Sequence, residues 1–120
     1  MKQITTILLI LLCFSFSCKS QSCTDLPDKF VSYSEAISAI QDAEFKYTDK
    51  LPSGKSSWIA TANYYSCDGK TGYLVYSTNK GKEYIHEGVS KNVWIEFKTA
   101  PSSGSYYVYN IKNNYRLVPE

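Results

Sequence analysis

The longest apolar stretch of the chain lies at its start. Ile4 through Phe16 is mostly apolar, centred on Leu8-Leu9-Ile10-Leu11-Leu12, with Lys2 before it and Ser15, Ser17, Ser20 and Ser22 around its end. A basic start, a short apolar core and a small, polar end are the three regions of a secretory leader. The run is too short and too broken for a good spanning helix. Downstream the apolar period changes. Ala36, Ile37, Ile40 and Ala43 recur at helical spacing behind Ser34, a good N-cap, and Glu35, which suits the positive end of a helix dipole. This predicts a short amphipathic helix over 34–42. Alternation then takes over. Phe45, Tyr47 and Leu51 point one way and Lys46 and Thr48 the other, up to a Pro52-Ser53-Gly54 turn. A strand over 57–65 carries Trp58, Ala60, Ala62 and Tyr64 on one face. Cys67-Asp68-Gly69-Lys70 turns into a strand over 73–78, and Asn79-Lys80-Gly81 into a short strand over 82–86. Strands joined by such tight turns make an antiparallel meander.

After Gly88-Val89 the helical period returns. Ser90 caps a segment whose Val93, Trp94, Phe97 and Ala100 form one apolar stripe, with Lys91, Glu96 and Lys98 outside it. Pro101 marks its end. A second C-terminal helix over 105–115 places Tyr107, Ile111 and Asn114 or Tyr115 on one side, although the Tyr106-Tyr107-Val108-Tyr109 run has strand propensity too. Ser102 is its cap, and Ala100 and Gly104 allow the two helices close approach. The fold expected is α+β: an N-terminal helix, a four-stranded antiparallel meander and two C-terminal helices packed on one face of it.

The leader divides the chain into a signal peptide over 1–17, a flexible tether over 18–29 and a single domain over 30–120. Cys18, behind Ser17, is the candidate for lipoprotein-type cleavage and acylation; ordinary cleavage after Ser20 or Ser22 is the alternative. The first gives an envelope-tethered protein, periplasmic or at the outer membrane or cell surface, touching the membrane only through its lipid. The second gives a secreted one. Cys13 is lost with the leader and Cys18 is lipidated or lost, which leaves Cys23 and Cys67. Two cysteines in an oxidising compartment predict one disulfide. The competing assignment makes Cys67 a nucleophile activated by His86, the single histidine. Such a pair needs a low thiol pKa and an orienting group, and neither is visible.

Charge narrows the partners. The chain has 13 basic and 11 acidic residues, and losing Lys2 with the leader leaves 12 against 11. That balance gives no argument for polyanion binding. The unusual component is tyrosine, 11 residues with none in the leader. Tyrosine combines an apolar body with a polar tip and serves core and interface alike. Tyr64, Tyr76, Tyr84, His86, Lys112 and Tyr115 are the candidate binding residues. One histidine and no Cys-x-x-Cys or His-x-x-x-His spacing argue against a metal site, and no cofactor motif is present. Asp42, Glu44 and Asp49 read as solvated carboxylates. No serine sits in a nucleophile-elbow pattern.

The order of residues from Ser56 onward resembles the KTSC domain, a module of about sixty residues found at the C-terminus of some lysyl-tRNA synthetases and in stand-alone bacterial proteins. The resemblance rests on Ser56-Ser57, Ile59, Tyr64, Leu74, Gly81, Tyr84, Gly88-Val89 and Trp94. It continues through Ala100-x-Ser102-x-Gly104, Tyr106-Tyr107, Ile111-Lys112 and Tyr115, and makes 56–115 the core. Three positions depart from the family's pattern. His86 stands for the second tyrosine of Tyr-x-Tyr, Ser90 for a proline and Val108 for an asparagine. The resemblance implies a fold and no established activity, with RNA binding as a suggestion only, and fold does not fix function.

Three functions follow as expectations. The favoured one is an exported, non-catalytic binding or interaction module, monomeric, without cofactor, meeting an envelope protein, peptide or glycan through an exposed aromatic patch. The second is a nucleic-acid binder stacking bases on Tyr64, Tyr76 and Tyr84 near Lys80 and Lys82; the exported location disfavours it. The third is a small hydrolase with His86 in a cleft.

Overall fold

The computed structural model describes residues 21–119. The leader and the acylation expected at Cys18 lie outside the described residues. One sheet in the order β1-β2-β3-β4 forms from Tyr47–Lys50, Ile59–Ser66, Thr71–Thr78 and Glu83–Ser90, every pair antiparallel. Helix α1 (Tyr33–Asp42) precedes the sheet, and α2 (Lys91–Thr99) and α3 (Ser103–Asn110) follow it. The expected α+β meander with two C-terminal helices is the fold observed.

The sheet has two dissimilar faces. One buries Ile59, Ala62, Tyr64, Leu74, Tyr76 and Val89 against Trp94, Phe97, Tyr107 and Ile111 of the C-terminal helical region. The other packs Val75 and Ile85 against Phe30, Ala36, Ile40 and Val118. Both clusters arise from strand alternation, in which successive side chains take opposite faces.

Several boundaries and facings differ from the expectation, each for a local reason. Ser32 caps α1 rather than Ser34: its side chain accepts from Glu35 N–H at 3.1 Å. A bulge in β2 sets Ile59 and Thr61 opposite Thr78 and Ser77, so Ala60 is the extra residue. Alternation resets there: Ile59 and Ala62 share the buried face and Ala60 is exposed. A bend at Lys46 likewise parts Phe45, which joins the α1 side, from Tyr47 and Leu51, which join the other. β4 runs on to Ser90, past a second irregularity at Gly88, whose φ of 68° suits glycine. The last helix starts earlier than expected and stops at Asn110. Ser90 and Ser102 do cap α2 and α3, accepting from Val93 and Ser105 N–H.

Gly104 also acts differently from the expectation. The atoms nearest to a Cβ placed there are Trp58 Nε1 and Ser56 Oγ, so its small size admits the segment leading into β2. Lys55 completes that junction: its Nζ donates to Ala100 O at 2.6 Å, and its own carbonyl accepts from Ser103 N–H. Asp49 is no solvated carboxylate. Its Oδ2 accepts from Trp94 Nε1 at 2.9 Å and Lys98 Nζ at 2.8 Å, pinning α2 to the edge strand β1. Burial pushes that carboxyl up, but the Lys98, Trp94 and Lys50 hydrogen bonds together hold it below its ordinary range.

Before α1, Cys23 and Cys67 form a disulfide with Cα atoms 5.7 Å apart. Cys23 N–H donates to Glu44 O, and Glu44 N–H donates to Gln21 O. The N-terminal segment is thereby fixed at the end of β2.

Candidate functional site

The sheet face under α2 and α3 carries most of the residues singled out above, and it is largely closed. Tyr64 is fully buried, its ring stacked on Trp94 at 5.3 Å and its hydroxyl donating to Val89 O at 2.7 Å. Burial raises its pKa to about 12. Tyr76 and His86 are also buried. The base-stacking platform expected from Tyr64, Tyr76 and Tyr84 is therefore not an exposed surface. Residues of α2 and α3 pack over Tyr64 and Tyr76, and of the three only Tyr84 is half-exposed.

Three polar side chains in this core form one chain of hydrogen bonds. Tyr76 donates to the Tyr107 hydroxyl at 2.6 Å, and Tyr107 lies 2.8 Å from His86 Nε2. His86 Nδ1 lies 3.0 Å from Tyr115 O. A carbonyl only accepts, so the imidazole proton belongs on Nδ1 and Nε2 accepts from Tyr107. Every hydroxyl proton in the chain then has an acceptor. A second imidazole proton would make Nε2 a donor, and either the Tyr76–Tyr107 bond would have to reverse or the Tyr107 proton would lose its acceptor. Burial works in the same direction and lowers the His86 pKa, against a smaller opposing effect from the Tyr115 carbonyl. The cysteine once paired with His86 is committed elsewhere, in the disulfide.

Above this chain the core opens into a cleft of about 370 Å³. Tyr76 and Tyr107 form its floor, and the half-buried rings of Trp58 and Tyr84 stand at its sides. Trp58 meets Tyr76 edge-on at 6.2 Å and Tyr107 at 5.6 Å, while Tyr84 stacks on Tyr76 at 5.3 Å. These contacts hold the rings without covering them. Thr78, Lys112, Asn113 and the exposed Leu117 and Val108 make the rim. Of the candidate binding residues, Tyr76, Tyr84 and Lys112 meet here. His86 lies beneath, Tyr64 does not line the opening, and Tyr115 packs against the aromatic core and borders a different hollow.

That second hollow is wider and shallower, lined by Phe45, Tyr65, Tyr73, the disulfide, Asp68, Glu87, Tyr115 and Arg116. Its charged side chains are largely paired locally. Asp68 accepts from Lys70 and Thr71 N–H, and Glu87 pairs with Arg116 at 3.7 Å. Among the described residues no group of His, Cys, Asp and Glu is placed to hold a metal ion, and no helix is long and apolar enough to cross a membrane.

Sequence reasoning missed Trp58 and Tyr107 as members of the cleft. Trp58 was assigned to a strand face, although it precedes the strand and turns with the Ser56 hydroxyl, which accepts from its N–H and from Ile59 N–H. The only signal was that serine, placed like an N-terminal cap without a helix after it.

No curated protein sequence matches this chain. A crystal structure of a KTSC domain protein from Yersinia pestis is similar to it, with a TM-score of 0.50 and 22% sequence identity over 59% of this chain and 94% of that one. At that identity the likeness is one of fold. The KTSC domain family model matches residues 55–115, from the junction before β2 to the turn after α3. The hydrogen-bonded core and every residue of the cleft except Leu117 fall within that span, and the chain belongs to the KTSC domain family.

Proposed function

We propose that this chain is a non-catalytic binding module working outside the cytoplasm, with the cleft between Trp58 and Tyr84 as its contact site. One observation carries the reading: half-exposed aromatic rings stand around an open cleft whose floor hydroxyls already hydrogen-bond to one another. Aromatic side walls over a concave, mostly apolar floor are the usual makings of a ligand site. Tyr76, Tyr107 and His86 satisfy each other and stiffen the floor, so they serve recognition by shape. A general base needs its accepting nitrogen open to substrate. Here His86 Nε2 is covered by Tyr107.

The compartment half of the reading rests on the leader and on the Cys23–Cys67 pair, since such bonds persist in oxidising surroundings. Intact mass of the protein from its native envelope, before and after reduction and alkylation, tests it. The expected result is a chain beginning at an acylated Cys18, or after Ser20 or Ser22, whose remaining thiols label only after reduction. An uncleaved chain with Cys23 and Cys67 freely alkylated would overturn it.

A further inference from the structure

The lining of the Trp58–Tyr84 cleft carries one kind of charge. Lys112 is its single ionisable side chain apart from the tyrosines, and no carboxylate reaches it. Lys112 is exposed and, among the described residues, has no ion-pair partner. The other acidic groups near these helices are already engaged: Glu96 accepts from Tyr106 at 2.6 Å, and Asp49 holds Lys98 and Trp94. The remaining rim groups, Thr78 and Asn113, are neutral hydrogen-bonding side chains. A positive charge at the edge of an aromatic cleft repels a cation, although bare rings would otherwise favour one. It leaves a flat, apolar body free to stack and places a complementary charge beside it.

We infer that the cleft takes a small organic anion with a flat, apolar body, the body lying among Trp58, Tyr84 and Tyr76 and the carboxylate meeting Lys112. The inference rests on the proposed reading of the cleft as the contact site. It adds the ligand's charge and shape. Trp58 and Tyr84 supply affinity regardless of charge, because stacking and area burial do not depend on it. Lys112 supplies the discrimination. As an exposed cation it is worth a few-fold in affinity and no more.

Three probes with one ring system separate these contributions: indole-3-acetate, indole-3-acetamide and tryptamine, which are anionic, neutral and cationic. Each is titrated into the disulfide-bonded protein while the two indole N–H resonances are followed by NMR. Trp58 borders the cleft and Trp94 is fully buried on Tyr64, so only the Trp58 signal should move. The acetate should bind about fivefold tighter than the acetamide, with tryptamine weaker than both, a margin set by one exposed ion pair. Lys112→Ala should bring acetate and acetamide within about twofold of each other, and Lys112→Arg should retain the preference. Because Lys112 is exposed, neither variant should change the unfolding midpoint.

If all three probes bind alike, or tryptamine binds best, the anion inference fails and the cleft survives as a contact site. If none moves the Trp58 resonance, the inference and the reading beneath it both fail. A preference for acetate that persists in Lys112→Ala would also overturn it, since the charge would then lie elsewhere.

Discussion

The two faces of this sheet are built from the same four strands and solve the problem of burial differently. Under α2 and α3 the core is aromatic and tied by polar tips: Tyr64 to a backbone carbonyl, Trp94 to Asp49, and Tyr76 through Tyr107 to His86. Under α1 the buried set is smaller and mostly aliphatic, and the nearby disulfide fixes the chain before the helix. A large ring with a polar tip buries much area and still fixes one orientation, because the tip must find its partner. An aliphatic patch imposes less direction. The α1 face accordingly leans on a covalent bond that closes a separation of 44 residues. The cleft belongs to the first face, where rings already held by neighbours are left partly uncovered.

The sharpest way to test this contrast is to cut each face at its main support. Trp94→Ala removes a fully buried indole, its stacking on Tyr64 and its hydrogen bond to Asp49. Urea unfolding should show a loss of about 3–5 kcal/mol. On the other side, Cys23→Ser with Cys67→Ser opens the loop and should cost about 2–4 kcal/mol by the loop-entropy estimate. The two losses should add within about half a kcal/mol if the faces act independently. Strong non-additivity in the combined triple variant would mean that the sheet transmits strain between its faces and that the two faces are not independent.

The polar chain gives the aromatic face a pH dependence on the acid side of neutrality, whereas the shifted groups packed on the α1 face are tyrosines, raised to the alkaline side. The folded pKa of His86 lies below its ordinary value of 6.5, so the unfolded chain takes up the proton first as the medium acidifies. Stability is full above 6.5 and falls as pH drops from there toward the lower folded value. One coupled proton gives a slope of at most about 1.4 kcal/mol per pH unit. His86 is the chain's one histidine. The difference in unfolding free energy between about pH 7.5 and pH 5.5 should therefore nearly vanish in His86→Gln, which can still accept from Tyr107. A slope unchanged in that variant would show that the Tyr76–Tyr107–His86 chain is not what couples this core to acid.

Much of the architecture was legible in the residues because it rests on periodicity. The switch from helical spacing to alternation and back located α1, the meander and the two C-terminal helices. The Ser90 and Ser102 caps were readable because polar cap residues stand directly before apolar stripes. The failures share a cause. The bulge at Ala60, the bend at Lys46 and the close approach of Trp58 and Ser56 to Gly104 depend on contacts made across the sheet or between its ends, and no local pattern carries them. The same is true of the site. Tyr64, Tyr76 and Tyr84 were legible as sheet residues, but the burial of Tyr64 and Tyr76 depended on where α2 and α3 would lie. Trp58 joins them through a turn held by Ser56.

The smallest effect is a test of how finely a helix start can be read. The pattern at 34–42 made Ser34 the cap of α1. The structure gives that role to Ser32, in extended backbone, with Glu35 in the first turn and its N–H donating to the Ser32 hydroxyl. Glu35 therefore stands at N3 of a Ser-x-x-Glu sequence that fits a capping box, a pattern that would have placed the start correctly. Ser34 lies inside the first turn and is exposed. Ser32→Ala should cost about 1 kcal/mol in urea unfolding, whereas Ser34→Ala should fall within about 0.5 kcal/mol of the parent. On the less strongly tied face a lost cap also has a second consequence. α1 should fray before the sheet opens, and amide exchange across its first turn should accelerate in Ser32→Ala while the β3–β4 amides stay protected. Equal effects from the two serines would mean that the helix start is set by packing of Phe30 and Ala36 rather than by its cap.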